Sequence, residues 1–254
     1  MIRNLYRQKT QELRSFFENL VEISQSMPNH LFGQLASQVL RKTVVTFAPL
    51  PLEARVGNLQ MSCDIQASHA EMQFAFTPDS FESKERKLLT WFLPNDGIFV
   101  DIGADVGIYT LTAATALSNN GRVIAVEPDA TKFERLRKNI SKNAELYPDW
   151  PVIDMFEMSF ADSQSNISNV SLLKLVTDAQ LPQVDVLKID TGGDEELILE
   201  DFFDTAPLVL FPKTICLKND VLSSNSNLNT VFRELGYFKV FKSKTNVVYR
   251  LRLN

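Results

Sequence analysis

Cysteine and histidine are nearly absent from this chain. Among 254 residues there are two of each, Cys63 and Cys216, His30 and His69. Two cysteines make no disulfide framework, and a reducing compartment, the cytoplasm, is the simpler expectation. A closed zinc site would need all four residues to converge from scattered positions, and neither histidine stands in an HExxH or triad-like context. No metal site is therefore expected. Chemistry has to rest on carboxylates, Lys, Tyr, hydroxyls or a cofactor. Long apolar runs are missing too: nothing approaches the roughly 18 residues that suggest a membrane span. The opening stretch, Met1 to Gln25, interleaves apolar residues with Arg3, Arg7, Lys9, Glu12, Arg14 and Glu18, which is not the pattern of a signal peptide. Positive charge is in deficit, with 26 Lys and Arg against 31 Asp and Glu and a net charge of −5, so no nucleic-acid partner is expected.

The composition that remains, 44% hydrophobic and 22% charged, is that of a globular protein with a substantial core. Leu5, Leu13, Phe16, Phe17, Leu20 and Val21 recur at helical spacing. Met27-Pro28-Asn29 breaks that run, and a second helical stretch covers Leu31 to Leu40. An amphipathic helix of this kind is expected to pack on its own domain or on a partner, with a membrane-surface helix as the alternative, and its apolar face suggests a homodimer. Residues 55–77 read as short strands. Residues 1–80 form an N-terminal extension on this reading, and residues 81–254 the main domain. That domain begins with a helix, Phe81 to Phe92, and a turn at Pro94-Asn95-Asp96-Gly97.

Beyond Gly97 strands and helices alternate. Strands are expected at Ile98–Ile102, Arg122–Val126, Val152–Phe160, Val184–Ile189 and Leu208–Phe211. Helices are expected at Ile108–Leu117, Thr131–Ala144, Asp194–Phe203 and Leu228–Leu235. Tyr237–Phe241 and Val247–Leu251 read as a closing antiparallel pair. The alternation implies an α/β fold with parallel pairing, right-handed crossovers and a ligand site at the carboxyl ends of the strands. The basic residues of the second helix, Lys132, Arg135, Arg137, Lys138 and Lys142, read as a solvated face. Those near the C-terminus, Lys239, Lys242, Lys244, Arg250 and Arg252, suit edge strands that must resist aggregation, or an anionic substrate.

The informative stretch is FVDIGADVGIYTL, residues 99–111. A buried strand ends in Asp101, and Gly103, Asp105 and Gly107 lead into a helix. Glycines allow close backbone approach and present amides at a helix start. The spacing is not the GxGxxG of a dinucleotide site, and carboxylates beside a pyrophosphate would repel it. They suit a ligand with positive charge, such as S-adenosylmethionine. Glu127, at the tip of the next strand, is placed to accept both hydroxyls of a ribose. A nicotinamide site is the rival reading, and solvated strand ends are the alternative to either.

Two segments resemble the FkbM family of methyltransferases: VDIGADVGIYT at residues 100–110 and LKIDTGGDEE at residues 187–196. Val126-Glu127-Pro128 and Met158-Ser159-Phe160-Ala161-Asp162 are similar to two further family segments, in the same order. The resemblance runs from about Phe81 to Tyr237. It departs from the family at Asp105, where asparagine is usual, at Gly192, where glutamate is usual, and in the short stretch from Asp162 to Asp185. It implies a Rossmann-like methyltransferase sheet, mostly parallel with an antiparallel closing strand. It also implies S-adenosylmethionine-dependent O-methylation of a small-molecule or saccharide hydroxyl. A weakly catalytic S-adenosylmethionine-binding module, suggested by Gly192, is the alternative. Cofactor contacts are expected from Asp101, Gly103, Ala104, Asp105, Gly107, Tyr109, Glu127 and Pro128, with Ser159 and Asp162 near adenine. The fourth-strand tip should face the reacting methyl, which nominates Asp190 and then Glu195 as base or orienting carboxylate, with Lys188 beside them. Lys188–Asp190 as a structural ion pair and Glu195 as a helix-start charge are the competing readings.

Overall fold

The computed structural model describes residues 2–27, 31–56, 58–160, 170–222 and 226–252, with side chains from residue 10 onward except 31–35 and 56. His30, Ala161 and Asp162 lie outside the described residues, as does the side chain of Leu5. The chain divides into two compact units, Met1–Ser83 and Lys84–Asn254.

In the first unit, helices α1 (Ile2–Ser26) and α2 (Leu31–Phe47) precede a hairpin of β1 (Leu52–Val56) and β2 (Leu59–Cys63). The hairpin pairs from Leu52↔Cys63 to Val56↔Leu59. Phe17 and Val21 of α1 are buried, while Leu13, Phe16 and Ile23 remain exposed. Residues 55–77 are only partly strand. Their second half is helix α3 (His69–Phe76), and the sequence carried its signal. Ser68 caps the helix by accepting from Glu71 N, and the Glu71 carboxylate in turn accepts from Asp64 N at 2.7 Å.

The second unit begins at Lys84, within α4 (Ser83–Phe92). Then follow β3 (Ile98–Ile102), α5 (Ile108–Ala114), β4 (Arg122–Val126), α6 (Ala130–Ala144), β5 (Val152–Phe156) and α7 (Leu172–Asp178). β6 (Val186–Ile189), α8 (Glu195–Thr205), β7 (Thr214–Lys218), α9 (Leu228–Glu234), β8 (Tyr237–Lys242) and β9 (Asn246–Leu251) complete it. The sheet order is β5-β4-β3-β6-β7-β9-β8. The first five strands are parallel, and β9 runs antiparallel between β7 and β8. This is the Rossmann-like methyltransferase sheet with its antiparallel closing strand. It departs from the dinucleotide-binding order because the last strand inserts ahead of the one before it.

Two expected elements are corrected. Leu208–Phe211 is not a strand: Leu208–Leu210 forms a 3₁₀ turn, closed by Leu210 N donating to Pro207 O at 2.9 Å. Proline on both sides, Pro207 and Pro212, isolates it, and the strand is the shorter apolar run Ile215-Cys216-Leu217 within β7. The third strand stops at Phe156 rather than Phe160.

Alternation along the strands sends side chains to two cores. Val100, Ile102, Leu187, Ile189, Ile215 and Leu217 pack with Leu175, Val176, Leu199, Phe202 and Phe232 of α7, α8 and α9. Phe99, Val123, Val186, Cys216 and Val248 pack with Leu89, Leu93, Ala113 and Leu117 on the other face. At the amino edge, buried Asp185 ties strands together, accepting from Ile98 N at 2.9 Å and from Lys213 Nζ at 2.7 Å.

The chain leaves β3 toward β4 on one side, whereas β6 leads to β7 on the other, so a crevice opens where the two directions part. There the backbones nearly touch. Gly103 has φ +75°, and a Cβ at this position would lie 1.9 Å from Asp190 O. Asp190 N donates to Ile102 O at 2.9 Å, which closes the same contact from the neighbouring strand. Backbone on both sides cannot yield as a side chain does. Gly103→Ala is therefore expected to cost about 3 kcal/mol or more. Urea unfolding measures it, and a loss below about 0.5 kcal/mol contradicts the contact.

Candidate functional site

A cavity of about 540 Å³ opens at the carboxyl ends of β3, β4 and β6. Gly103, Asp105, Glu127, Pro128, Ser159 and Asp190 of the expected set line it. Asp129, Lys132, Met158, Phe160, Thr191, Asp194 and Lys218 also line it and were not singled out as site residues. Asp129 had a readable signal: an aspartate after proline at a helix start is a capping residue, and its carboxylate accepts from Thr131 N and Lys132 N. Lys218 had none, because the strand that carries it was placed elsewhere.

The glycine loop is wired differently from a phosphate-binding loop. Gly103 N and Ala104 N both donate to Val126 O, each at 2.9 Å. Asp105, at φ +53°, donates its N–H to Glu127 Oε2 at 2.8 Å. Asp129 N donates to Glu127 Oε1 at 3.0 Å. The Glu127 carboxylate thus bridges two loops with one amide on each oxygen, and each oxygen keeps acceptor capacity toward the cavity. Lys132 Nζ stands 3.2 Å from Asp105 Oδ1. Gly107, at φ +96°, serves packing: a Cβ there would come within 2.7 Å of Leu136 Cδ1 on α6. Asn139 of the same helix, fully buried, donates to Val106 O at 2.9 Å.

Several expected contacts are set back from the cavity. Ala104 is buried and Gly107 faces α6. Asp101 is 1% exposed and accepts from Thr110 Oγ1 at 2.6 Å. β3 pairs with β6 so that Asp101 lies beside Lys188, and β6 pairs with β7 so that Lys188 lies beside Cys216. Lys188 is 3% exposed. Its ammonium lies 5.0 Å above the Tyr109 ring and 3.3 Å from Asp190 Oδ2, so Tyr109 packs against the lysine instead of lining the cavity. Lys218 Nζ reaches the same Asp190 oxygen at 3.1 Å. Burial pushes the Asp190 carboxyl up, but the two ammonium groups outweigh it and hold it below the usual carboxylate range. Glu195 is not presented to the cavity either. It is 1% exposed, and its oxygens accept from the N–H groups of Thr191, Gly192 and Gly193 at 2.7, 2.9 and 3.0 Å.

The described lining carries five carboxylates (Asp105, Glu127, Asp129, Asp190 and Asp194) against two ammonium groups, Lys132 and Lys218. That balance favours a ligand with positive charge. Met158, Phe160 and Pro128 supply apolar surface on the β4–β5 side.

No family model and no curated protein matches the chain. Among solved structures, the METTL16 MTase domain is similar over 92% of this chain and 90% of its own, at 15% identity and a TM-score of 0.53. A methyltransferase from Geobacter sulfurreducens covers 68% of this chain and 78% of its own, at 17% identity and a TM-score of 0.47. An O-methyltransferase from Bacillus cereus, solved in complex with SAH, covers 66% and 81%, at 17% identity and a TM-score of 0.44. The first of these carries the likeness, and at such identity it is a likeness of fold. No helix among the described residues is long and apolar enough to cross a membrane.

The buried row makes a measurable claim. Burial pushes the Asp101 carboxyl up to about 6, against the lowering pull of the Lys188 ammonium and the Thr110 hydrogen bond. Its folded value thus lies above its unfolded one. Ionisation costs stability, nothing below about pH 4 and about 3 kcal/mol once the pH exceeds 6. Carbon-detected NMR is expected to find Asp101 titrating near 6, and higher still in Lys188→Met. Titration near 4 in both proteins contradicts the arrangement.

Proposed function

We propose that the chain is an S-adenosylmethionine-dependent methyltransferase of the FkbM type that methylates a hydroxyl of a small molecule or saccharide. The observation that carries the reading is the consumption of the loop amides. A pyrophosphate needs free N–H donors, whereas those of Gly103, Ala104 and Asp105 are bound to Val126 O and Glu127. What the loop leaves facing the cavity is carboxylate. Glu127, each oxygen already steadied by an amide, suits the two hydroxyls of a ribose. Asp105, Asp190 and Asp194 complement a ligand bearing ammonium and sulfonium groups. Pro128, Met158 and Phe160 offer apolar contact to a base, and Ser159 a hydroxyl beside it.

When bound, S-adenosylmethionine supplies an electrophilic methyl group on sulfur. The residues align the acceptor with it and exclude water, and orientation alone accounts for much of such a rate enhancement. Asp190 stays ionised at neutral pH and its basicity is lowered by Lys188 and Lys218, so it orients the acceptor hydroxyl by accepting its hydrogen bond. The weakly catalytic binding module is the second reading, resting on Gly192 in place of the family's glutamate. The reading needs no metal, in keeping with a sequence that holds only two Cys and two His and no ligand cluster of them. Turnover is expected to survive EDTA.

Calorimetry with S-adenosylhomocysteine and with NAD tests the cofactor. Binding of the first and not the second is expected, and binding of NAD alone overturns the proposal. Glu127→Ala should weaken S-adenosylhomocysteine at least about tenfold, the worth of one charge-assisted hydrogen bond. Asp190→Asn should leave that affinity within about threefold and lower turnover about 10²-fold. Undiminished turnover in Asp190→Asn removes it from the reaction, and no turnover in the wild-type protein with any hydroxyl acceptor leaves the binding module as the better reading.

A further inference from the structure

Helix α1 carries two apolar stripes, where packing on one core needs a single one. The first stripe serves its own unit. Phe17, Val21 and Ser24 are buried. Ser24 Oγ lies 2.7 Å from Ser37 Oγ of α2, and Gln25 Nε2 donates to Arg55 O and Ala75 O. These contacts fix which side of the helix faces inward.

The second stripe is Leu13, Phe16, Leu20, Ile23 and Met27. Leu13, Phe16 and Ile23 are 49%, 55% and 48% exposed, and Leu20 and Met27 are partly so. Their spacing alternates between three and four residues, the 3.5-residue repeat of a coiled-coil seam. The stripe lies about 100° around the helix axis from Phe17, Val21 and Ser24. Single exposed apolar residues are ordinary, but a seam kept in register over about four turns is a surface built for another helix. Phe16 is its natural anchor, because its ring already packs edge-on against buried Phe17, with 5.4 Å between centroids.

Charge identifies that helix. In the sequence of α1, Arg3, Arg7 and Lys9 come first, and Glu12, Glu18 and Glu22 follow, with Arg14 among them. One half is basic and the other acidic. A second α1 laid antiparallel sets each basic half beside an acidic half, whereas a parallel copy sets like beside like. The helix therefore complements itself in one orientation. The exposed flank of the seam carries Glu12, Asn19 and Glu22, and acids there oppose an anionic lipid surface.

We infer that the Leu13–Met27 seam is a self-association surface through which two copies of this chain pair by antiparallel α1 helices. The inference stands apart from the methyltransferase reading, since it uses only the first unit. A seam about 22 Å long is at the small end of stable interfaces, so the dimer is of micromolar strength.

Sedimentation equilibrium of the full chain tests this. The wild type should show a monomer–dimer equilibrium with a Kd of about 10 µM or below. Phe16→Glu puts a charge into the seam at an exposed position. Its helix content by circular dichroism should match wild type, and its dimerisation should weaken at least about 100-fold. Two double variants test the orientation. Arg7→Glu with Lys9→Glu makes α1 largely acidic, and Glu12→Lys with Glu22→Lys makes it largely basic. Each alone should dimerise at least about tenfold more weakly than wild type, and their equimolar mixture should recover wild-type association. Both losses should be greater at low salt. A wild type that stays monomeric at about 100 µM overturns the inference, as does a dimer that survives Phe16→Glu. A mixture no tighter than its components overturns the antiparallel pairing. Wild-type monomer that binds vesicles containing anionic lipid, with binding lost in Phe16→Glu, assigns the stripe to a membrane surface and overturns the dimer.

Discussion

The approach of two backbones at the sheet's crevice organises the rest of the site. β3 and β6 end so close together that position 103 has no room for a Cβ, and Asp190 N bonds back to Ile102 O. The loop after β3 is thereby pressed toward β4, where Val126 O takes the amides of Gly103 and Ala104. The next amide, that of Asp105, falls to Glu127. Once these donors are consumed, the loop cannot act as an anion cradle. The cavity is then defined by carboxylates, and its electrostatics follow from a steric fact about one glycine.

A second level of organisation is a row of alternating charge. It runs from Asp101 on β3 through Lys188 on β6 to Asp190 and Lys218. Its inner members are almost wholly buried and its outer members border the cavity. The inner carboxyl is pushed up by burial and the outer one is held down by two ammonium groups, so similar side chains in one row have opposite proton affinities. Lys188, sheltered under Tyr109, serves both. This division removes Asp101 from ligand contact, although it is the most prominent acid of the motif. It makes Asp190 an ionised hydrogen-bond acceptor and not a proton store.

Much of the fold was legible because its central strands are short apolar runs broken by Gly, Asn and Pro, and because the helices between them carry helical spacing. The closing antiparallel pair could be read from its two β-rich runs. What escaped reading was set by tertiary context. Ile215-Cys216-Leu217 is too short an apolar run to compete with Leu208–Phe211 until Pro207 and Pro212 are seen to isolate the latter. α3 and α7 (Leu172–Asp178) are short helices whose main signals are single serine caps, Ser68 and Ser171. In the site, Glu127 and Asp190 lie at strand tips, which alternation alone predicts. The roles of Gly107, Asp101, Tyr109 and Glu195 depend on which neighbour each residue packs against or bonds: Leu136, Thr110, Lys188 and three turn amides. Spacing along one chain does not encode those partners. Lys218 and Asp194 come to the cavity from a strand and a turn whose positions only the folded sheet defines.

The central claim is that a nucleoside bearing a cationic sulfur sits in the cavity with its ribose on Glu127. A crystal structure of the full chain with S-adenosylhomocysteine, the uncharged product form of that ligand, tests it most directly. The account predicts both ribose hydroxyls within hydrogen-bond distance of the Glu127 oxygens and the base against Met158 and Phe160. A ribose held elsewhere, or a base away from Met158 and Phe160, would contradict it.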